Sequence, residues 1–375
     1  MGDRTLLGAA GVSDAWLEGI VRDRLADPAA ALLSSRVDEV DYALPAITTG
    51  GRWWVSGTAA SRGEVTPFRF FVKVVRCWSR SPEFVQVPED LREMAAADVP
   101  WQTEAEVYRS DLADRLPAGL SMVPAYAVLD LDDLSRALWL DAVEPVDLAW
   151  DLPTFDAAAH LLGRMAASAR VAPLRNVGHT AAGPRTYLRG RLRHAVLPML
   201  RSRVWDHPLV AETFSPELRA RLLAVADRVE QVVEELCSFP THAAHGDACP
   251  NNLLGRPDGG FWLIDFGFWS PQPVGFDLAQ LLVGGVQTGA IPADRLAEIE
   301  ATIVPAYTQG LHAEGSSVTE DQVRRAHALQ LVVFTGLSTL PFEHLESAIT
   351  PALVADARGR ASIAEHSLDL LDATG

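Results

Sequence analysis

Three polar residues in the second half of the chain, Asp247, Asn252 and Asp265, stand at offsets that could do chemistry. Asn252 follows Asp247 by five positions and Asp265 follows it by eighteen. Between them, two apolar runs flank the Arg-Pro-Asp-Gly-Gly segment 256–260. This is a hairpin signal, because Pro presets φ and Gly supplies positive φ. A hairpin brings its two ends together, so we expect Asp247 and Asn252 to lie near Asp265.

This spacing suits phosphoryl transfer from ATP. That reaction needs an acceptor hydroxyl to be oriented and Mg²⁺ to be held against the phosphates. A His-x-Asp-x-x-x-x-Asn loop followed by Asp-Phe-Gly supplies one Asp to accept the hydroxyl proton, and an Asn and a second Asp for the metal. Spacing, order and intervening hairpin all agree, so the compound pattern is far more specific than a lone Asp-Phe-Gly would be.

The His-Gly-Asp motif at 245–247, where protein kinases usually have His-Arg-Asp, resembles the aminoglycoside phosphotransferase and choline kinase-like family. The resemblance implies an α+β, protein-kinase-like fold with two lobes. We expect a small β-rich, nucleotide-binding N-lobe over residues 1–143, with an N-terminal helical extension, and a larger, mainly helical, catalytic and substrate-binding C-lobe over residues 144–375. Cys249 stands where protein kinases commonly have a lysine, which favours a small-molecule kinase.

The resemblance also implies roles for individual residues. Asp247 would be the catalytic base, with His245 of the same motif beside it among the catalytic residues. Asn252 and Asp265 would be the Mg²⁺ ligands. Asp277, just before an apolar run, would brace the catalytic loop, and its carboxylate could also accept from the first amides of a helix.

Lys73 is the single lysine of the chain, and all other members of the Lys and Arg set are arginines. It lies in the strand-like run 68–75, at the place of the lysine of the kinase Val-Ala-Ile-Lys pattern. A carboxylate on the following helix would hold it. We favour Glu104, because the Glu of the family often sits four residues before Tyr108, and Glu106 remains the rival.

Two further segments are candidate nucleotide contacts. Gly50 and Gly51 could let backbone amides approach the ATP phosphates, although an ordinary hairpin turn explains them about as well. By the resemblance and chain order, Asp141, Ala142 and Val143 begin the hinge between the lobes, whose backbone would meet the adenine.

The remaining pattern predicts secondary structure coarsely. We expect amphipathic helix over residues 1 to about 40, strands around a polar loop at 58–67, a loop at 78–100, and mostly helices beyond Pro145. Trp269 could border the acceptor site or belong to the core. The basic segment 185–203 could contact an anionic substrate or a peptide, or form a solvated helix face.

Composition bounds the function further. A net charge of −17 disfavours nucleic-acid binding and suits a cationic acceptor, although acidity also serves solubility. No apolar run is long enough for a membrane helix. The three cysteines are scattered and residues 1–5 lack a secretory pattern, which predicts a reduced cytoplasmic protein.

The sequence therefore predicts an ATP- and Mg²⁺-dependent kinase of a small-molecule hydroxyl, with an antibiotic-modifying enzyme as the first expectation and a kinase of another metabolite next. One alternative is a kinase acting on a peptide or protein in natural-product tailoring. Another is a non-catalytic nucleotide-binding scaffold, which the presence of Lys73, Asp247, Asn252 and Asp265 together disfavours. ATP against GTP and the oligomeric state stay open.

Overall fold

The computed structural model describes residues 4–41, 46–178 and 183–375. The first three residues of the predicted N-terminal helix lie outside this description. Contacts divide the chain into two compact units. Unit 1 comprises Met1–Ala113 and Met122–Glu144, and unit 2 comprises Asp114–Ser121 and Pro145–Gly375.

The strands of the described residues are short in unit 2 and long in unit 1. Their bounds are Ala31–Glu39 (β1), Thr49–Ser61 (β2), Glu64–Arg76 (β3), Leu120–Met122 (β4), Ala125–Asp132 (β5), Ser135–Asp141 (β6), Thr241–Ala244 (β7), Leu253–Gly255 (β8), Phe261–Leu263 (β9) and Ser270–Pro273 (β10).

The helices are concentrated after residue 145. The α-helices are Asp14–Leu25 (α1), Arg92–Asp98 (α2), Thr103–Arg109 (α3), Leu112–Arg115 (α4), Leu152–Ala167 (α5), Pro184–Tyr187 (α6), Leu197–Leu200 (α7), Pro208–Thr213 (α8), Pro216–Asp227 (α9), Val229–Leu236 (α10), Phe276–Gln287 (α11), Leu296–Ala313 (α12), Glu320–Phe334 (α13) and Pro351–Ala373 (α14). A π-helix, Leu188–Val196, joins α6 to α7. Within the described ranges, no helix is both long and apolar enough to cross a membrane.

Unit 1 is built on an antiparallel sheet in the order β1-β2-β3-β6-β5. The prediction of helix up to residue 40 is wrong for residues 31–39, which form β1 and pair with β2. The predicted loop at 58–67 is also wrong, because β2 and β3 pair through it and turn only at Arg62 and Gly63, both with positive φ. Buried Ala59 and Phe68 explain this extension, since pairing buries both against the core.

One face of this sheet carries the core of unit 1. Leu17 and Val21 of α1 pack there in one buried cluster with Phe70, Val72 and Trp139. Side chains alternate along a strand, so Lys73 points to the opposite face. Burial of Phe70 and Val72 on one side therefore fixes which way Lys73 faces.

The segment 78–100, predicted as a loop, contains α2 and short 3₁₀ helices. The run Arg-Glu-Met-Ala-Ala-Ala-Asp of α2 consists mostly of strong helix formers. The helix expected to carry Glu104 is α3, which Ser110 ends in an extended conformation, and α4 follows it.

Unit 2 is mainly helical. Helices α5 and α12 pack closely through two glycines. A Cβ on Gly163 would lie 2.1 Å from the carbonyl oxygen of Tyr307, and one on Gly310 would lie 2.1 Å from that of His160. Helices α9 and α10 are separated at Arg228, whose φ and ψ are not helical. Two small pairings, β7 with β10 and β8 with β9, lie around the loop that holds Asp247.

Candidate active site

Gly246 sets the path of the loop that follows β7. Its φ is +85°, in the left-handed region that favours glycine. A Cβ at this position would lie 2.3 Å from the carbonyl oxygen of Phe268. Both the conformation and the space therefore require glycine here, immediately before Asp247. The backbone of Phe268, directly after the Asp-Phe-Gly segment, occupies the place that a side chain would need.

Asp277 anchors this loop from α11. One carboxylate oxygen accepts the His245 N–H at 3.0 Å, and the other accepts the Gly246 N–H at 2.8 Å. Asp277 is buried, and this burial raises the pKa of its carboxyl to about 6, against the lowering effect of the two N–H donors. The expected helix cap is absent, because Gly275 caps α11 and the carboxylate turns to the loop instead.

His245 ties the loop to the end of β9. Its ring is buried, with Nε2 at 2.9 Å from the Ile264 carbonyl oxygen, and Nδ1 accepts the Asp247 N–H at 3.4 Å. Burial lowers the pKa of His245 to about 4, so the ring is neutral near pH 7. These contacts make His245 a residue that positions Asp247.

The hairpin of β8 and β9 brings Asn252 next to the Asp-Phe-Gly segment, as its turn sequence predicts. Leu253 pairs with Leu263, and the Ile264 N–H donates to the Asn252 carbonyl at 3.2 Å. The Asn252 amide nitrogen donates to the Asp247 carboxylate at 3.0 Å and to its carbonyl at 2.8 Å. Asp265 has a φ of 63°. Left-handed conformations of this kind in residues other than glycine are often found at functional sites.

In unit 1, Lys73 forms a buried ion pair with Glu104, the partner favoured above. The Nζ to Oε2 distance is 2.6 Å, and the two side chains are 7% and 3% exposed. Glu106 instead pairs with Arg109 on the outer side of α3, at 3.1 Å. An unpaired charge is costly to bury. Each of these two buried side chains therefore needs the opposite charge of the other.

The face of the sheet that carries Lys73 is aromatic. Phe71 lies two residues before Lys73 and therefore on the same face. Its ring centroid is 5.1 Å from that of Trp54, on the neighbouring strand. The guanidinium of Arg69 lies 3.9 Å from the centre of the Trp54 ring. These flat side chains give a half-buried surface on which another planar ring could stack.

A cleft of about 640 Å³ adjoins this aromatic face. It is lined by residues in the middle of β1 and β2, by the first half of β3, and by Ala142 and Val143, which directly follow β6. Asp141, the last residue of β6, donates its N–H to the Pro124 carbonyl at 2.8 Å. The predicted hinge segment thus borders a cavity in unit 1.

Gly50 and Gly51 lie inside β2 and form no hairpin turn. Thr49 pairs with Val75 and Gly51 with Val74, which leaves Gly50 as an extra residue in a β-bulge. A Cβ on Gly51 would lie 2.1 Å from the Trp53 ring. The absence of a side chain at Gly51 therefore leaves room for the Trp53 ring. Part of the connection that precedes them, residues 42–45, lies outside the described ranges.

Two aromatic residues after Asp265 have different environments. Trp269, left open between acceptor site and core, is buried, and its indole N–H donates to the Leu174 carbonyl at 2.9 Å. Phe268 is instead 52% exposed, with its backbone against Gly246. Sequence reasoning missed Phe268, and it also missed Trp54 and Arg24 beside the cleft. The alternation with Lys73 could have found Trp54 once the register of β2 was known.

Three arginines in the basic segment 185–203 pair with acidic side chains. Arg185 makes a two-pronged ion pair with Glu234, at 2.8 and 2.6 Å. Arg193 pairs with Glu230 at 2.7 Å, and Arg201 pairs with Asp227 at 3.0 Å. Exposed pairs of this kind fit the interpretation as a solvated helix face.

Comparison with known proteins adds a family and a fold. Residues 80–312 match the model of the phosphotransferase enzyme family, APH. Among solved structures, an aminoglycoside phosphotransferase from Alicyclobacillus acidocaldarius aligns over 92% of this chain and 91% of its own, with 14% identity and a TM-score of 0.50. A choline kinase from Streptococcus pneumoniae aligns over 96% and 99%, with 14% identity and a TM-score of 0.42. No curated protein sequence matches significantly.

These findings confirm the predicted α+β, protein-kinase-like fold and the predicted resemblance. The family match begins after Lys73 and includes Glu104, the segment after β6 and the loop from His245 to Asp277. Since that match extends over more than half of the chain, this protein belongs to the phosphotransferase enzyme family.

Proposed function

We propose that this protein is an ATP- and Mg²⁺-dependent kinase that transfers the γ-phosphate to a hydroxyl group of a small molecule. The observation that carries the proposal is the loop around Asp247. Its carboxylate contacts the Asn252 amide at 3.0 Å, and its position is set by Gly246, His245 and Asp277. Such a loop presents one carboxylate in a held orientation, which is what a hydroxyl acceptor needs.

The nucleotide would bind to unit 1. Lys73, held by Glu104, supplies a compact cation for the phosphates. Phe71 and Trp54 offer rings on the same face for the adenine, and the backbone after Asp141 borders the adjoining cleft. We propose residues 1–143 as the nucleotide-binding lobe and residues 144–375 as the catalytic and substrate-binding lobe.

The donor groups of unit 2 fit a Mg²⁺ ion. The Asn252 amide nitrogen is turned to Asp247, so its amide oxygen is the atom left to face a cation. Together with the Asp265 carboxylate, this amide oxygen would hold the ion, because Mg²⁺ prefers hard oxygen ligands. When bound, Mg²⁺ would neutralise charge on the transferring phosphate.

In the proposed reaction, Asp247 accepts the proton of the acceptor hydroxyl. The hydroxyl oxygen forms a bond to the γ-phosphorus while the bond from that phosphorus to the bridging oxygen breaks, and ADP leaves with that electron pair. Asn252 holds the Asp247 carboxylate in one orientation throughout. His245 and Asp277 keep the backbone of the loop in place.

We propose a small molecule as the acceptor, either an aminoglycoside-like antibiotic or another metabolite that carries a hydroxyl. Arg185, Arg193 and Arg201 pair with acidic side chains, so the basic segment 185–203 gives less support to the alternative of a peptide or protein acceptor. The net charge of −17 suits a cationic acceptor.

A screen of aminoglycosides, amino alcohols, sugars and hydroxyl-bearing peptides, with phosphate transfer followed by mass, would test this proposal. With the acceptor found, Asp247→Asn should lower kcat by about 10²–10⁴-fold, the usual contribution of a general base. Its affinity for MgATP should stay within about twofold of wild type. Asp258→Asn, in the exposed hairpin turn, is the matched control and should be neutral. Wild-type turnover in Asp247→Asn would contradict the assignment.

A further inference from the structure

The N-terminal helix α1 is an integral part of unit 1. Leu17 and Val21 belong to the core cluster behind β3, and Trp16 packs edge-on against Trp139 with ring centroids 5.1 Å apart. Glu18 accepts the Leu32 N–H of β1 at 2.9 Å. The family match starts at residue 80, so α1 lies outside it. These contacts fix the position of the residues at the end of α1.

Arg24, in the last turn of α1, reaches the end of β6. Its Nε donates to the Asp141 carboxylate at 2.8 Å, across 117 positions of sequence. The two side chains are 25% and 21% exposed, so the pair is largely sheltered from water. A sheltered, hydrogen-bonded pair holds geometry better than one in full solvent.

This contact lies at the end of β6, where the pairing between β3 and β6 stops. β6 ends at Asp141 opposite Phe70, whereas β3 continues to Glu64 without a β6 partner. The cleft occupies the space beside that unpaired part of β3, and Arg24 lines it together with Ala142, Val143 and Glu144. Strand hydrogen bonds hold Asp141, but the residues after it have left the sheet. The Arg24 contact therefore holds the chain where it leaves β6.

We propose that Arg24 is a positioning residue for the nucleotide: through Asp141 it fixes the segment Ala142–Glu144 against the cleft, so that an N-terminal helix outside the family match completes the nucleotide site. This inference rests on the function proposed above. Arg24 positions the backbone that borders the nucleotide. In this proposal, other residues bind the phosphates and the acceptor hydroxyl. Its loss should consequently raise the KM for nucleotide and spare kcat at saturating nucleotide.

The test compares Arg24→Gln, Arg24→Lys and Arg22→Gln by calorimetric titration with MgATP, by steady-state kinetics and by urea unfolding. Arg22 is the matched control, because it lies on the same helix but bonds Glu18 and the Ala30 carbonyl. We expect Arg24→Gln to weaken nucleotide binding about fivefold, the effect of one partly sheltered ion pair. Arg24→Lys should recover part of this, and Arg22→Gln should bind like wild type.

Asp141→Asn removes the charge of the other partner in this ion pair and leaves the sequence of α1 unchanged. It should weaken nucleotide binding about as much as Arg24→Gln, and the double variant should be no worse than either, because both changes remove one interaction. Wild-type affinity in Arg24→Gln, or equal losses in Arg22→Gln and Arg24→Gln, would overturn the inference. Failure of the wild-type protein to bind MgATP would instead refute the proposed function, so the two failures are distinguishable.

Discussion

At the scale of single residues, Lys73–Glu104 is a buried ion pair that substitution should disturb strongly. Both side chains are almost completely buried, and the Nζ to Oε2 distance is 2.6 Å. Removing one partner of such a pair leaves the other charge buried without compensation, which costs more than the pair itself contributes. Both residues should therefore be sensitive to substitution even where the new side chain is similar in size.

Lys73→Arg should raise the nucleotide KM or lower kcat markedly, because a broad planar fork replaces a compact ammonium in a closed space. Glu104→Gln should produce a milder loss in the same constants. The double variant should lose less than the sum of the two, since residues in contact are not additive. Steady-state kinetics with varied MgATP measure these effects.

Glu106→Gln is the matched control for Glu104→Gln. Glu106 lies on the same helix but pairs with partly exposed Arg109. It should behave like wild type. Strictly additive losses, or a larger defect from Glu106→Gln, would mean that the buried pair does not serve the nucleotide.

At the scale of elements, the connection from β7 to β8 is held by contacts from α11, β9 and the Phe268 backbone. Asp277 supplies two acceptors from α11, and Ile264 supplies one from the end of β9. Gly246 allows the closest approach, that of the Phe268 carbonyl. The orientation of Asp247 thus depends on the elements around the loop as much as on the loop itself.

Gly246→Ala should unfold more easily and lose most of its kcat, because the added Cβ meets a backbone atom that cannot move aside. Gly259→Ala is the control, since Gly259 has a similar φ of +91° but open space around it. It should cost only the backbone strain, about 1–3 kcal/mol. Urea unfolding and turnover of the two variants measure the difference, and equal effects would show that the Phe268 contact imposes no constraint.

Asp277→Asn should lower kcat and reduce stability by about 1–3 kcal/mol, the cost of leaving a buried hydrogen-bonding group unsatisfied. An amide has one oxygen, so either the His245 or the Gly246 N–H would face an N–H₂ group. The nucleotide KM should change little, because the two hydrogen bonds that Asp277 accepts come from the loop. A variant with wild-type stability and kcat would remove Asp277 from this role.

At the scale of the whole molecule, buried histidines link stability to pH. Burial lowers the pKa of His245 to about 4 and that of His327 to about 3, from an ordinary value of 6.5. Below pH 6.5 the unfolded chain therefore binds more protons than the native protein, and native stability falls as the pH is lowered. Asp277, with its pKa raised to about 6 from 3.8, acts in the opposite direction between those values.

His327→Leu should make the loss of stability between pH 6.5 and pH 4 less steep. It should also raise stability at pH 7 by about 1–3 kcal/mol, because in the described structure both ring nitrogens of His327 are buried without a hydrogen-bond partner. His312→Leu is the control, since His312 Nε2 lies 2.7 Å from the Val318 carbonyl oxygen and its loss should destabilise. Urea unfolding at several pH values measures both. An unchanged pH slope in His327→Leu would contradict the expectation.

The sequence by itself determined the local features of the site. The Pro-Asp-Gly-Gly turn predicts the hairpin of β8 and β9, and that hairpin alone places Asn252 beside the Asp-Phe-Gly segment. The apolar and aromatic run around Lys73 predicts a strand, which is present as β3. These signals succeed because turn chemistry and strand alternation act over a few residues. They missed β1, an edge strand whose pairing partner is not specified by its own residues. They also missed the continuation of β2 and β3 through the polar residues 58–67.

Only the tertiary structure decided which side chains meet. Glu104 and Glu106 are two positions apart on one helix, and only packing against the sheet shows that Glu104 is the buried one. Asp277 lies next to a predicted helix start, yet its carboxylate serves the loop at Gly246. Arg24 and Asp141 meet across 117 positions. Burial and partner choice depend on contacts between distant residues, and neither periodicity nor motif spacing contains that information.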